Sequence, residues 1–115
     1  MNKLAIFFLA SAAATAASAA TPPSPPVFWA GCAGALAVKA ETSGNASMTA
    51  HYSPIARRAL AQARVAANPE GLTAPQINGV AISAARTFRG QRTQNPAGFE
   101  KAVKLCAASV AKLPK

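Results

Sequence analysis

The chain has 115 residues, 51% of them apolar and 13% charged, a length that fits one domain with a thin core and excludes a larger set of domains. Twelve lysines and arginines face three glutamates and no aspartate, so the formal net charge is +9. With so few carboxylates, the sequence has no evident carboxylate pair for glycoside hydrolysis.

Residues 1–19 are predicted to be a secretory signal peptide. Lys3 supplies a positive charge, an apolar and small-residue run covers residues 4–17, and Ala17-Ser18-Ala19 is a small-x-small cleavage site. The run is too rich in alanine for an anchor, because a spanning helix needs about 20 strongly apolar residues. Cleavage would remove Lys3 and lower the net charge from +9 to +8. We therefore expect a secreted or periplasmic protein with no transmembrane segment in its mature part.

Residues 20–26 are predicted to be a proline-rich linker, and residues 27–115 a helical domain. The prolines favour a stiff polyproline II conformation. Ser24 is a candidate N-cap of the first helix, with Pro25 in its first turn. Residues 27–40 are apolar on almost all sides, which predicts the most buried helix. Its two glycines, Gly31 and Gly34, lower the helix propensity, and close approach of another helix is expected to compensate.

Residues 41–52 are polar and lack helical periodicity, so a mobile loop is predicted there. Ser53-Pro54 is predicted to cap and open the second helix, and Asn68-Pro69 to end it. The apolar face of this helix is predicted to contain Ile55, Ala59, Ala63 and Ala66.

The third and fourth helices have clearer boundary signals. Thr73 and Gln76 are predicted to form a capping box, and Gly90 to be the C-cap glycine of the third helix. Asn95-Pro96 is predicted to open the fourth helix. The inward face of the fourth helix steps by four and three residues through Phe99, Val103, Cys106, Val110 and Leu113. These patterns predict an all-α fold, a small four-helix bundle-like domain.

The two cysteines, Cys32 and Cys106, are predicted to form a disulfide. Both lie on inward helix faces, and an even number of cysteines in an exported chain favours pairing. A bridge would join the first helix to the last and stabilise the fold by about 4 kcal/mol. Two buried free thiols are one alternative. Lipidation of Cys32 is another, because Ala30-Gly31-Cys32 resembles the end of a bacterial lipobox. Trp29, in place of a small aliphatic residue, argues against lipidation.

No catalytic, cofactor-binding or metal-binding pattern is found, so the protein is not expected to be an enzyme. His51 is the only histidine, and no aspartate is available to orient it as a general base. One histidine, three scattered glutamates and two cysteines that pair with each other leave no ligand cluster for a metal.

Basic residues on the outer faces of the last three helices are the candidate binding site. They are Arg57, Arg58, Arg64, Arg86, Arg89, Arg92, Lys101 and Lys104. A basic surface attracts anionic partners such as lipid headgroups, acidic glycans or acidic proteins. The alternative is a set of solvated helix faces that only keep the protein soluble. Nucleic acid is not expected, because stacking needs exposed aromatic rings and only Tyr52 is predicted outside the core.

Two classes of function follow from this reasoning. The first is a non-enzymatic binding module for an anionic envelope component or an acidic protein. The second is a chaperone-like or inhibitor-like protein that binds through apolar surface, if four helices cannot cover the first one. Salt should separate them, because it screens charge contacts and leaves apolar contacts largely unchanged.

Overall fold

A computed structural model describes residues 24–42 and 44–114. These residues form four helices, namely α1 (Pro25–Thr42), α2 (Ala46–Ala67), α3 (Ala74–Gln94) and α4 (Pro96–Ala111), with a 3₁₀ turn (Asn68–Glu70) after α2. The predicted all-α, four-helix fold is confirmed. The predicted signal peptide, residues 1–19, and the first part of the predicted linker, residues 20–23, lie outside the described residues.

Helix α1 begins two residues before the predicted domain boundary. The carbonyl of Ser24 accepts a hydrogen bond from the Phe28 N–H (2.9 Å), and Pro26 is buried. Proline suits the first turn of a helix, because its fixed φ is already helical and no N–H is needed there. The last two prolines of the predicted linker therefore belong to the folded domain.

Helix α1 is the centre of the domain and packs against all three other helices, most extensively against α2. Its buried residues are Pro26, Ala30, Cys32, Ala33, Gly34, Ala35, Leu36, Val38 and Ala40. This confirms α1 as the most buried helix. Most of these side chains are small, so neighbouring helices can approach closely from several directions.

Gly34 marks the closest helix contact. A Cβ at this position would lie 2.8 Å from the Ala85 N and 2.9 Å from the Ala81 O, both backbone atoms of α3. A Cβ at Gly31 would have no atom within 4 Å. The predicted close approach is therefore confirmed for Gly34 and wrong for Gly31.

Helix α2 begins earlier than predicted, and the loop predicted over residues 41–52 is wrong. Asn45 is the N-cap, and its Oδ1 accepts hydrogen bonds from the Ser47 N (2.9 Å) and the Met48 N (3.3 Å). Pro54 lies inside the helix and cannot donate to the carbonyl of Ala50. Ala50 is exposed, so water can bond that carbonyl. The first turns are polar because they face solvent, which hid the helix from a search for apolar periodicity.

The boundary between α2 and α3 is confirmed. Helix α2 ends at Ala67, and Gly71 (φ 72°) turns the chain in the left-handed region that favours glycine. The Gln76 N–H donates to the Thr73 Oγ1 (3.3 Å) and the Thr73 N–H donates to the Gln76 Oε1 (2.7 Å), which is the predicted capping box.

The predicted end of α3 at Gly90 is wrong. The helix continues to Gln94, and Asn95 both ends α3 and caps α4 through its side chain, which accepts from the Gly98 N–H (3.2 Å). Gly90 keeps a helical conformation, whereas the residue before Pro96 is sterically pushed out of the helical region.

Helix α4 runs back antiparallel to α1 and is covalently joined to it. The predicted disulfide between Cys32 and Cys106 is present, with 5.2 Å between the two Cα atoms, and both residues are buried. Neither cysteine is free for lipidation. Four of the five predicted inward residues of α4 are buried and Leu113 is half-buried, so the predicted face is confirmed.

A candidate amphipathic groove

Two of the three glutamates are bound by cations of the fold. The Lys39 Nζ lies 2.8 Å from the Glu100 Oε2 and joins α1 to α4. The Arg89 Nε donates to the Glu41 Oε1 (2.6 Å) and its Nη2 donates to the Oε2 (3.3 Å), which joins α3 to α1. Glu70 is exposed in the 3₁₀ turn. Most of the positive charge on residues 24–42 and 44–114 therefore has no ion-pair partner among those residues.

The Glu41 carboxylate lies among arginines. The hydrogen bond from Arg89 holds the pKa of Glu41 below its ordinary value of 4.5, against the opposing effect of partial burial. Coulombic attraction to Arg89 and Arg92 lowers this pKa further, and Glu41 in turn raises the pKa of Arg89. Glu41 is therefore ionised at neutral pH and neutralises one of the two arginines near it.

Three of the eight predicted binding residues contact other groups of the fold. Arg58 Nη2 lies 3.5 Å from the carbonyl oxygens of Leu113 and Pro114, which follow α4, and Arg64 Nη2 donates to the Asn78 Oδ1 (2.9 Å). Arg89 forms the ion pair with Glu41. These three side chains are less available to an outside anion than the sequence suggested.

The other five predicted residues are exposed on different helices. Within residues 24–42 and 44–114 they have no ion-pair partner, and they are Arg57, Arg86, Arg92, Lys101 and Lys104. The arginines lie on α2 and α3, whereas the lysines lie on α4. The fold thus divides the predicted basic surface into an α2–α3 part and an α4 part.

An open apolar groove of 270 Å³, here called the α2–α3 groove, lies between α2 and α3 with α1 as its floor. Ala33, Gly34 and Ala37 of α1 form the floor, and the methyl groups of the two alanines are too small to fill the space above them. Leu60 of α2 and Ile82 of α3, the latter 58% exposed, form part of the walls. All lining residues are apolar or glycine apart from Arg57 of α2.

A second depression of 310 Å³, here called the polar hollow, adjoins the α2–α3 groove. The two share Ala37, Ala56 and Arg57, so Arg57 stands at their junction. The polar hollow also contains Glu41 and the hydroxyl residues Thr49 and Ser53. The combined surface is almost wholly apolar at one end, and at the other end charged and hydroxyl groups stand among alanines.

A third depression, here called the disulfide groove, lies over the buried bridge on the α4 side and measures 230 Å³. Its lining includes Val27 and Leu105, which are 40% and 59% exposed, and Phe28 and Phe88, which are half-buried. None of its lining residues is charged.

His51 lies on α2 rather than in the predicted loop, exposed and with its ring 4.8 Å from that of Tyr52. In the described part of the chain no three His, Cys, Asp or Glu residues converge to hold a metal ion. Over the same residues no helix has the length and apolar character needed to cross a membrane.

The sequence analysis identified the basic residues but did not predict the α2–α3 groove. The signal was a shared spacing, since Ser53, Arg57 and Leu60 step by four and three along one face of α2. Ile82 and Arg86 are four apart on α3 in the same way, but only the packing of both helices on α1 shows that these faces meet. Comparison with known proteins finds no matching family model, no matching curated protein and no matching solved structure.

Proposed function

We propose that this protein is a secreted or periplasmic, non-enzymatic binding module for an anionic envelope component or acidic protein. The observation that carries the proposal is the excess of arginine around the α2–α3 groove. Arg57 lines the groove, and Arg86 and Arg92 are exposed on α3, the helix that forms one of its walls. None of the three has an ion-pair partner among the described residues, and Glu41 is already bound by Arg89.

Two further features support this proposal. The disulfide is compatible with an extracellular or periplasmic location, since such bonds persist in oxidising compartments. The hydrogen bond from Arg89 holds the pKa of Glu41 below its ordinary value, so this carboxylate is ionised at neutral pH and paired with Arg89. An anionic partner that reaches this side therefore meets cations whose charge is not spent inside the fold.

The test is binding of the exported protein to vesicles that contain anionic lipid, compared with purely zwitterionic vesicles. Each cation near an anionic lipid surface contributes about 1 kcal/mol. The triple variant Arg57→Gln/Arg86→Gln/Arg92→Gln should therefore lose more than about 100-fold in affinity. Affinity should also fall as salt rises, because the Debye length shrinks from about 10 Å at 0.1 M to about 3 Å at 1 M.

A matched control comes from α4. The triple variant Lys101→Gln/Lys104→Gln/Lys112→Gln removes the same number of positive charges from exposed positions on another helix. It should weaken binding clearly less than the arginine variant. If both triple variants lose the same affinity, binding depends on net charge alone and not on the arginines of α2 and α3. Binding that does not change with salt would contradict the proposal.

The second candidate function, binding of a partner through apolar surface, is favoured by the disulfide groove. Val27 and Leu105 are exposed beside it, which places uncovered aliphatic area next to a rigid crosslink. Leu105→Ser should then weaken binding of an unfolded client without lowering the melting temperature. An unchanged affinity for such a client would remove this candidate.

A further inference from the structure

The α2–α3 groove and the polar hollow form one continuous depression whose polarity changes along its length. Their shared residues are Ala37, Ala56 and Arg57. Aliphatic side chains line the groove, and Glu41 and Ser53 contribute polar atoms to the hollow. A ligand that fills both parts must be apolar at one end and polar at the other.

The charges at the polar end determine the sign of the head group. Arg57 lines both depressions, and Arg89 and Arg92 act on the carboxylate of Glu41. Three guanidinium groups against one carboxylate leave an excess of positive charge. The pair between Arg89 and Glu41 shows how a guanidinium binds an oxyanion here. Two of its N–H groups donate to the two carboxylate oxygens.

The size and lining of the groove determine the shape of the apolar part. Its 270 Å³ lies just below the range of about 300–1,000 Å³ that is typical of sites for drug-sized ligands. The volume is of the order of one flexible chain rather than of the extended apolar face that an amphipathic helix lays into a partner's groove. A hydrocarbon chain is narrow enough, and it needs no hydrogen bonds from a lining that offers none apart from Arg57.

We infer that the α2–α3 groove binds the hydrocarbon chain of a single-chain anionic amphiphile, whose head group lies in the polar hollow against Arg57. The inference rests on the proposed function, because it names the chemistry of the anionic partner. Burial of the hydrocarbon tail against α1 supplies binding energy, and the guanidinium of Arg57 favours a negatively charged head group.

The direct test is calorimetric titration of the exported, oxidised protein with dodecyl phosphate below its micelle concentration. Inorganic phosphate supplies the head group alone, and dodecyl maltoside supplies the same chain with a neutral head. Dodecyl phosphate should bind at least about tenfold more tightly than either, since a charge-assisted hydrogen bond and the chain must both contribute. Equal binding of dodecyl maltoside, or no binding of dodecyl phosphate, overturns the inference.

A larger side chain in the α2–α3 groove should prevent the hydrocarbon tail of the ligand from binding there. Ala37 is exposed on the groove floor, so Ala37→Leu can occupy the space without disturbing the core. It should weaken dodecyl phosphate binding at least about tenfold. The control is Ala108→Leu, the same change at an exposed position of α4, which should leave binding unchanged. Equal effects of the two variants overturn the assignment of the groove.

Two charge variants test the head group. Arg57→Gln should weaken dodecyl phosphate binding about tenfold and leave dodecyl maltoside unaffected, whereas Arg58→Gln, an equal charge change on the next residue, should do little. Glu41→Gln should strengthen dodecyl phosphate binding, because it removes a negative charge from the lining of the polar hollow and frees Arg89. A weaker affinity for dodecyl phosphate in Glu41→Gln would contradict an anionic head group beside this carboxylate and overturn the inference.

The inference and the proposed function can fail separately. Salt-dependent binding to anionic vesicles without any binding of dodecyl phosphate keeps the function and overturns the inference. Binding of an acidic amphipathic peptide that Ala37→Leu abolishes, where dodecyl phosphate does not bind, assigns the groove to a partner helix and overturns it as well. Failure of every anionic probe removes both.

Discussion

Replacement of Gly34 with alanine tests the closest helix contact in the fold. The new Cβ would lie 2.8 Å from the Ala85 N, 2.9 Å from the Ala81 O and 2.9 Å from the Ala84 Cβ, whereas ordinary contacts begin at 3.4 Å. Two of these three atoms belong to the backbone of α3 and cannot rotate aside. Helices α1 and α3 must therefore separate, and every contact along their interface loosens.

The magnitude follows from two opposing effects. Overpacking of a close-packed interface costs about 1–3 kcal/mol, and the upper part of that range applies because the obstruction is backbone. Alanine gains about 1 kcal/mol over glycine through its helix propensity. We expect Gly34→Ala to lower the free energy of unfolding by about 2 kcal/mol, which corresponds to a melting temperature roughly 8–16 °C lower for a domain of this size.

Gly31 provides the control on the same helix. A Cβ there meets nothing within 4 Å, so Gly31→Ala should keep the propensity gain and raise stability by about 1 kcal/mol. Denaturant titration of the oxidised protein measures both variants, and the m value should stay constant if only stability changes. The reasoning fails if Gly34→Ala is as stable as the wild type, because α1 and α3 could then move apart freely.

Three further predictions concern the disulfide, the start of α2 and the response to acid. The double variant Cys32→Ala/Cys106→Ala should lose about 4 kcal/mol in denaturant titration, because the bridge closes a loop whose ends are 74 residues apart; a loss under about 1 kcal/mol would speak against the covalent staple. Asn45→Ala should lower the free energy of unfolding by about 1 kcal/mol in thermal melts, because Asn45 is the N-cap of α2. Ser53→Ala should lower it by less than about 0.5 kcal/mol. The reverse order would place the start of the helix at Ser53. The pKa of Glu41 is lower in the folded than in the unfolded state, so its stabilisation is present above the ordinary value of 4.5 and lost as pH falls through the folded value. Glu41→Gln should flatten that acid loss in a plot of unfolding midpoint against pH, and identical acid limbs would contradict the assignment.

Local signals predicted correctly those boundaries that depend on a few adjacent residues. The capping box of Thr73 and Gln76 and the Asn95-Pro96 start of α4 are fixed by backbone geometry within one turn. The face of α4 was also predictable, since its buried side chains recur at helical spacing. The disulfide followed from the number of cysteines and their positions on inward faces.

The start of α2 and the end of α3 could not be predicted in this way. The first turns of α2 face solvent, so they carry no apolar pattern, and Ser53-Pro54 imitated a helix start. A tertiary contact helps to hold this segment, because the Thr49 hydroxyl donates to the Ala40 carbonyl of α1 (2.8 Å). Glycine often ends a helix, but Gly90 has a helical φ and α3 ends only at Asn95.

The candidate site was harder to predict from the sequence than the fold was. Glu41 and Arg89 are 48 positions apart in the chain, and nothing in their spacing relates them. The division of the eight basic residues into an α2–α3 part and an α4 part also depends on which helix faces meet. The groove exists because small residues of α1 lie beneath two helices that do not close over them.

The amino-acid sequence alone determined four helices, their inward faces, the positive charge and the pairing of Cys32 with Cys106, because helical periodicity, capping and thiol count act locally or by composition. Only the tertiary structure decided which cations keep an internal partner and where apolar surface stays open beside Arg57. The physical reason is that ion pairs and grooves depend on distances between helices, and small residues of α1 set such distances, as Gly34 does for the approach of α3.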